Sequence, residues 1–175
     1  MQKRPDAVKF RGAPKTLIGP QLKAGDKAPD FACLTQGLEV VGLSKLPSDR
    51  PRLFSVVPSL DTPVCNTQTK KFEETLGAYK GRLACYTISL DLPFAQKRFC
   101  GVENIDSMTT LSDVHNHSFG KSWGTLLEGL PLPLLCRAVF VVDKNGKITY
   151  AEYVPEVTSE PNYAAALAAL KAAAG

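Results

Sequence analysis

The sequence predicts an α/β sandwich, a sheet layered between helices, on three observations. From residue 53 onward apolar runs alternate with amphipathic stretches: LFSVV (53–57) and the helix after it, then RLACYTISL (82–90) and another helix, the order that builds parallel βαβ units. RAVFVVD (137–143) and KITYAEYV (147–154) flank a Lys144-Asn145-Gly146 turn and read as an antiparallel hairpin, with Asn-Gly supplying positive φ angles. The chain then closes on EPNYAAALAALKAAA, a helix by its alanine content, opened by Pro161. Its 175 residues suffice for one domain with a full core and are too few for two comfortable ones.

Taken in order, VKFRGAPKTLI (8–18) alternates around a Gly-Ala-Pro break, as a short N-terminal hairpin would. After a linker, FACLTQGLEVVG (31–42) gives two more short runs about a Gln-Gly turn. The helix from Cys65 to about Tyr79 places Cys65, Thr69, Phe72, Leu76 and Tyr79 on one face and Lys70, Lys71, Glu73 and Glu74 on the other, so the first set packs on the sheet. RLACYTISL is β-branched and of strand length. DLPFAQKRFCG follows as a short helix, with Asp91 as N-cap, Pro93 in the first turn and Cys100 closing it before Gly101. A strand near MTTL (108–111) and a helix near HSFGKSW (117–123) make a third unit. GTLLEGLPLPLL suits neither helix nor strand and is expected as a loop over apolar surface. Parallel units followed by a hairpin and a last helix amount to a thioredoxin-like three-layer sandwich, with the N-terminal hairpin as an extension and the core over about 27–173.

Composition narrows the function. A net charge of +4, from 21 basic and 17 acidic residues spread along the chain, is too small for a nucleic-acid footprint. No apolar run is long enough to cross a bilayer and no apolar segment follows the charged N-terminus, so the expected location is the cytoplasm. Five cysteines at irregular spacing, without a CxxC pair, argue against a disulfide framework, a zinc ribbon or a CxxC dithiol, and leave each cysteine to be read on its own. Cys33 and Cys85 fall inside strand patterns and are read as core. His115 and His117 sit in a polar stretch and are read as loop or cap residues.

The remaining stretch, VVPSLDTPVCNTQTKKF (56–72), organises the rest. An apolar run breaks at Pro58, turns, and restarts as a helix for which Thr62 suits the N-cap and Pro63 the first position, making Cys65 the third residue. A thiol there sits among unpaired N–H groups at the positive end of the helix dipole, an environment that favours the thiolate. Taken alone, Cys65 is better read as a small buried side chain at the start of a core helix, since free cysteines are so often simply buried. Its neighbours decide between the two.

Pro58-x-x-x-Thr62-x-x-Cys65 resembles the motif of the peroxiredoxins. With DLPFAQKRFCG some thirty residues on and LCRAVFVVDKNGKI beyond, the chain is similar to their bacterial thiol peroxidase subfamily, of the atypical two-cysteine type, over about residues 8–171. The resemblance implies that Cys65 is the peroxidatic cysteine, that Thr62 and Pro58 shape its pocket, that Arg137 is the pocket arginine, and that Cys100 resolves the oxidised Cys65 through an internal disulfide. It also implies a hydroperoxide substrate, organic in preference to hydrogen peroxide, a thioredoxin-like dithiol reductant, a homodimer, and no cofactor. The residues agree: a guanidinium at the head of a central strand is costly to bury without an anion beside it, and a thiol at a helix C-terminus keeps an ordinary or raised pKa. The Leu-rich GTLLEGLPLPLL is expected to offer the pocket an apolar wall. Cys136, where this subfamily would be expected to carry alanine, leaves open a side disulfide or a buried thiol, and strand alternation next to Arg137 favours the second. Two rivals remain: a cysteine hydrolase, for which only His115 and His117 could supply the base, and a non-catalytic module of the same fold.

Overall fold

The computed structural model describes residues 1–79 and 81–175. In chain order its strands are β1 (Lys3–Phe10), β2 (Ala13–Ile18), β3 (Cys33–Leu34), β4 (Val40–Val41), β5 (Arg52–Val56), β6 (Ala84–Ser89), β7 (Thr109–Ser112), β8 (Leu126–Glu128), β9 (Leu134–Leu135), β10 (Ala138–Val142) and β11 (Ile148–Tyr153). The helices are α1 (Pro63–Leu76), α2 (Pro93–Glu103), α3 (Ser118–Ser122) and α4 (Tyr163–Ala174). A seven-stranded sheet runs β11-β10-β5-β6-β7-β3-β4, with β5, β6 and β7 parallel, and a four-stranded sheet runs β1-β2-β8-β9.

The three-layer expectation holds, and the strands show why. Every residue of β5 and β10 is buried, so each strand feeds two cores through its alternation. Phe54, Val56, Ala138, Phe140 and Val142 point to one core, with Phe119 and Trp123 of the α3 region and Leu17, Leu126 and Leu127 of the small sheet. Leu53, Val57, Val139 and Val141 point to the other, with Phe72 and Leu76 of α1, Phe99 of α2 and Ala166 and Leu170 of α4. Burying Phe72 and Leu76 stabilises the α1 docking by roughly 1.5–3 kcal/mol each relative to exposure.

Several local expectations are corrected. The N-terminal hairpin starts at Lys3 and not near Val8, turns at Arg11-Gly12, at the front of the expected Gly-Ala-Pro break, and pairs with β8. GTLLEGLPLPLL is not a plain loop: its ends become β8 and β9 because β2 offers β8 a free edge and β8 in turn pairs with β9, a pairing that leucine content cannot announce. It lies on the Trp123 side of the sheet, the core opposite Cys65, and so is not the apolar wall of the pocket. In the β10–β11 turn only Gly146 has positive φ. Asp143 makes the turn instead, its Oδ1 accepting from the N–H groups of Asn145 and Lys147. Pro161, expected to open α4, lies just outside it: the helix starts at Tyr163 with Asn162 as its cap, whose Oδ1 accepts from Ala165 N–H at 3.0 Å. Helix α1 ends at Leu76, and Tyr79 belongs to a 3-10 turn that follows. Glu73, expected on the solvated face, turns back to hold the segment after α2, accepting from the N–H groups of Asp106, Ser107 and Met108.

Cys33 and Cys85 are core residues, as expected. Cys136 is fully buried on the face opposite Arg137, and burial pushes both Cys85 and Cys136 up to about 12. His117 precedes α3 in a left-handed conformation, the cap position its surroundings suggested.

Candidate active site

The site forms where β5 ends and α1 begins. Pro58 is buried just past β5, the chain turns through Ser59 to Asp61, and α1 opens at Pro63, which makes Cys65 its third residue as the sequence required. The first i to i−4 bond is Asn66 N–H to Thr62 O at 3.0 Å, so the N–H groups of Val64 and Cys65 precede the helical ladder. Cys65 itself has no exposed surface.

Two side chains meet the sulfur. Thr62 Oγ1 lies 2.7 Å from Cys65 Sγ and 3.0 Å from the carbonyl oxygen of Ser59. Its hydroxyl therefore does not cap the helix through a backbone N–H, the role its position suggested, and faces the thiol instead. With one proton and two neighbours it donates to the sulfur when that is an anion, and donates to Ser59 O while accepting S–H when it is a thiol. Arg137 Nη2 also lies 3.3 Å from Sγ.

Arg137 is held along its whole length, and here the structure adds residues the sequence did not announce. Nε donates to Val157 O at 2.7 Å, and Nη1 to Gln68 Oε1 at 2.8 Å, while Gln68 Nε2 donates to Ser55 Oγ at 2.7 Å. Arg137 is 2% exposed, and Gln68 and Ser55 are fully buried. Among the described residues no carboxylate lies within ion-pair distance of the guanidinium. A buried cation fixed by neutral acceptors keeps its charge for whatever its free N–H groups face, and they face Cys65. The sign that could have revealed Gln68 is a glutamine one turn from Cys65, beside the apolar stripe 65, 69, 72, 76, where a solvated helix face should not begin.

Cys100 sits in α2, but that helix runs on to Glu103 and is capped by Asn104 in a left-handed conformation, so Cys100 lies within the last turn and does not close it. Leu92, and not Asp91, occupies the N-cap position, and Asp91 turns its carboxylate toward Ser59 and Leu60. Cys100 is half-buried at the edge of the core that contains Cys65, and both thiols are free. Its pKa is raised, as expected, though by burial and not by the helix end, with hydrogen bonds from Thr110 and Gln36 pulling the other way. Between the two cysteine helices opens a groove of about 580 Å³, whose walls include Leu60, Thr62 and Pro63 on one side and Arg98, Phe99 and Val102 on the other. Its apolar surface comes from α2 and the Pro58–Pro63 turn.

Comparison with known proteins identifies the family. The redoxin family profile matches residues 23–167. A thiol peroxidase of Bacillus subtilis is 48% identical over 165 residues, covering 94% of this chain and 96% of that protein, and a thiol peroxidase of Clostridium acetobutylicum is 48% identical over 166 residues, covering 95% and 98%. Among solved structures, a peroxiredoxin-like protein from Aquifex aeolicus superposes with a TM-score of 0.88 at 42% identity over 96% of this chain and 97% of that one. The thiol peroxidase from Chromobacterium violaceum, 19% identical, shares the fold with a TM-score of 0.84, covering 94% of this chain and 95% of that one.

Proposed function

The chain belongs to the redoxin family and is a thiol peroxidase of the peroxiredoxin type, and from that premise we propose that Cys65 is its peroxidatic and Cys100 its resolving cysteine. The Cys65 thiolate attacks the distal oxygen of a hydroperoxide. The S–O bond forms as the O–O bond breaks, and its electron pair leaves on the alkoxide, which takes up a proton to become the alcohol. Cys65 is then a sulfenic acid. The Cys100 thiolate attacks that sulfur and expels hydroxide, which is protonated to water, giving an internal Cys65–Cys100 disulfide. A thioredoxin-like dithiol reduces the disulfide and is itself oxidised.

The observation that carries this reading is the aim of Arg137, a desolvated guanidinium that forms no ion pair among the described residues and holds one N–H arm 3.3 Å from Sγ. Both the thiolate and the oxygen atoms of a cleaving peroxide are anionic, and donors already in place for such charge are worth far more in a dry site than in water. Thr62 and the unpaired N–H of Cys65 supply the other donors, and Pro58 and the turn after it hold them in position. Since Cys65 has no exposed surface, the peroxide approaches from the groove past Thr62, and its Leu60, Pro63, Phe99 and Val102 favour an organic hydroperoxide over hydrogen peroxide. The protein works in the cytoplasm as a homodimer.

Counting thiols tests the scheme. All five cysteines are free, and one equivalent of cumene hydroperoxide should reduce the titratable thiols of the denatured protein from five to three, with Cys65 and Cys100 linked within one chain. A cysteine hydrolase or a non-catalytic module would keep five. A disulfide between chains would assign resolution to a different pair. Lower catalytic efficiency with cumene hydroperoxide than with hydrogen peroxide would overturn the substrate preference.

A further inference from the structure

Asp91 touches neither thiol, yet it joins the segments that carry them. Its backbone is tied to the end of the sheet, where Ser112 Oγ donates to its carbonyl oxygen at 2.6 Å. Its carboxylate faces the turn beside Cys65: Ser59 Oγ donates to Oδ1 at 2.8 Å, and Leu60 N–H donates to Oδ2 at 2.8 Å. Ser89 Oγ also donates to Oδ2, at 2.7 Å. The network continues at both ends. Gln96 Nε2, buried in α2 one turn before Cys100, donates to Ser89 Oγ at 3.1 Å. On the other side Ser59 offers its carbonyl oxygen to Thr62 Oγ1, which lies against Cys65 Sγ.

The chemistry of this position asks for a carboxylate. Three donors converge on two oxygens, and Leu60 N–H, a backbone donor, cannot turn round to accept. Bonds to an ionised acceptor are also the stronger kind. We propose that Asp91 is a positioning residue for peroxide reduction: it holds the Ser59–Thr62 turn in its peroxide-ready arrangement and is the fixed point from which α2 departs when the disulfide forms. The proposal rests on the roles given to Cys65 and Cys100 above. Glu73 is its counterpart at the far end, accepting from the N–H groups of Asp106, Ser107 and Met108 at 2.8, 2.7 and 3.1 Å. Residues 92–105 are thereby bracketed by two carboxylate anchors. Between them, besides the packing of Phe99, α2 is tied to the Cys65 side by a long hydrogen bond from Asn66 Nδ2 to Glu103 Oε1 at 3.4 Å and by the pairs Lys70–Glu103 and Arg98–Asp61, which are partly or largely exposed and of the kind that contributes little.

The test separates two rates in Asp91→Ala: the second-order reaction of the reduced protein with cumene hydroperoxide, read by trapping the sulfenic acid with dimedone, and the first-order formation of the disulfide, read by mass spectrometry after acid quench. The peroxide reaction should fall by about tenfold or more, because Thr62 loses its support, while disulfide formation rises several-fold. Asp91→Asn, which keeps one acceptor oxygen, should fall between the alanine variant and the parent, and Ser59→Ala should lower the first rate less. Adding Ser59→Ala to Asp91→Ala should cost little more, since both remove the same contact. A residue that only stabilised the fold would lower the melting temperature and leave both rates, measured well below it, unchanged. That result, or additive losses in the double variant, overturns the proposal. If the parent itself lost no thiols to peroxide, the assignment of Cys65 and Cys100 would fall, and this proposal with it.

Discussion

Replacing Gln68 by glutamate separates the charge on Arg137 from its packing. The side chain is fully buried, accepts from Arg137 Nη1 at 2.8 Å and donates to Ser55 Oγ at 2.7 Å. Glutamate has the same length. Its carboxylate keeps the bond from Arg137, and the Ser55 hydroxyl turns from accepting to donating, so both contacts survive. What changes is charge: a carboxylate now lies across the guanidinium from Sγ, which is itself 3.3 Å from the other arm. At a separation of about 6 Å and an effective dielectric of about 20, Coulomb's law gives roughly 3 kcal/mol of repulsion against an anionic sulfur and its transition state. That corresponds to about a hundredfold loss in the rate of peroxide reduction. Stability should move by only about 1 kcal/mol, because the cost of burying the new anion is offset by its ion pair with Arg137. Single-turnover peroxide consumption and thermal unfolding, measured on the same preparations, give the two numbers. A rate within about threefold of the parent, at an unchanged melting temperature, would show that Arg137 does not act on the sulfur through its charge.

Cys65→Ser should keep the fold and lose peroxide reduction altogether, since the swap is nearly isosteric and a serine hydroxyl stays protonated near neutral pH; measurable turnover with either peroxide contradicts the assignment. Arg137→Lys should lose most activity, because an ammonium cannot bond Val157 O, Gln68 and Cys65 at once as the planar fork does, and steady-state efficiency for cumene hydroperoxide measures this. Burial raises the Cys100 pKa above that of an ordinary free thiol in the folded protein, so its thiolate fraction is small near neutral pH and grows as pH rises. Disulfide formation in the folded protein should therefore accelerate from about pH 7 and still be rising at about pH 9, and a profile flat over that range would place the attack outside the closed structure. Hydrogen exchange should be faster in the disulfide form over residues 92–105 and, to a smaller extent, the first turn of α1, with the sheet unchanged. Equal protection in both forms would mean that the cysteines meet without local unfolding.

Much of this protein is legible in the residues because local rules act over a few positions. The unbroken apolar run in RAVFVVD, the Pro-x-x-x-Thr-x-x-Cys turn into a helix and the odd charge at the head of a buried strand each carry their reason within a short window. For the same reason the strand patterns around Cys33, Cys85 and Cys136 suffice to mark these three thiols as core, where they are indeed buried. What local rules cannot decide is which partner a group chooses when several are in reach. Thr62 stands at the N-cap of α1 and Asp91 one residue before that of α2, where the sequence expected a second cap, yet neither caps through its side chain. One meets the sulfur and the other holds a turn some thirty residues away, because the parallel pairing of β5 with β6 brings their ends side by side. GTLLEGLPLPLL has the composition of an apolar pocket wall but the wrong side of the sheet, which is set by where the free edge of β2 lies. Gln68 becomes a support for Arg137 through a bond across 69 residues of chain. Propensity and pattern specify which face of an element is buried, but hydrogen bonds between elements form only after packing has fixed their relative positions, so this second layer of the site was left to the tertiary structure.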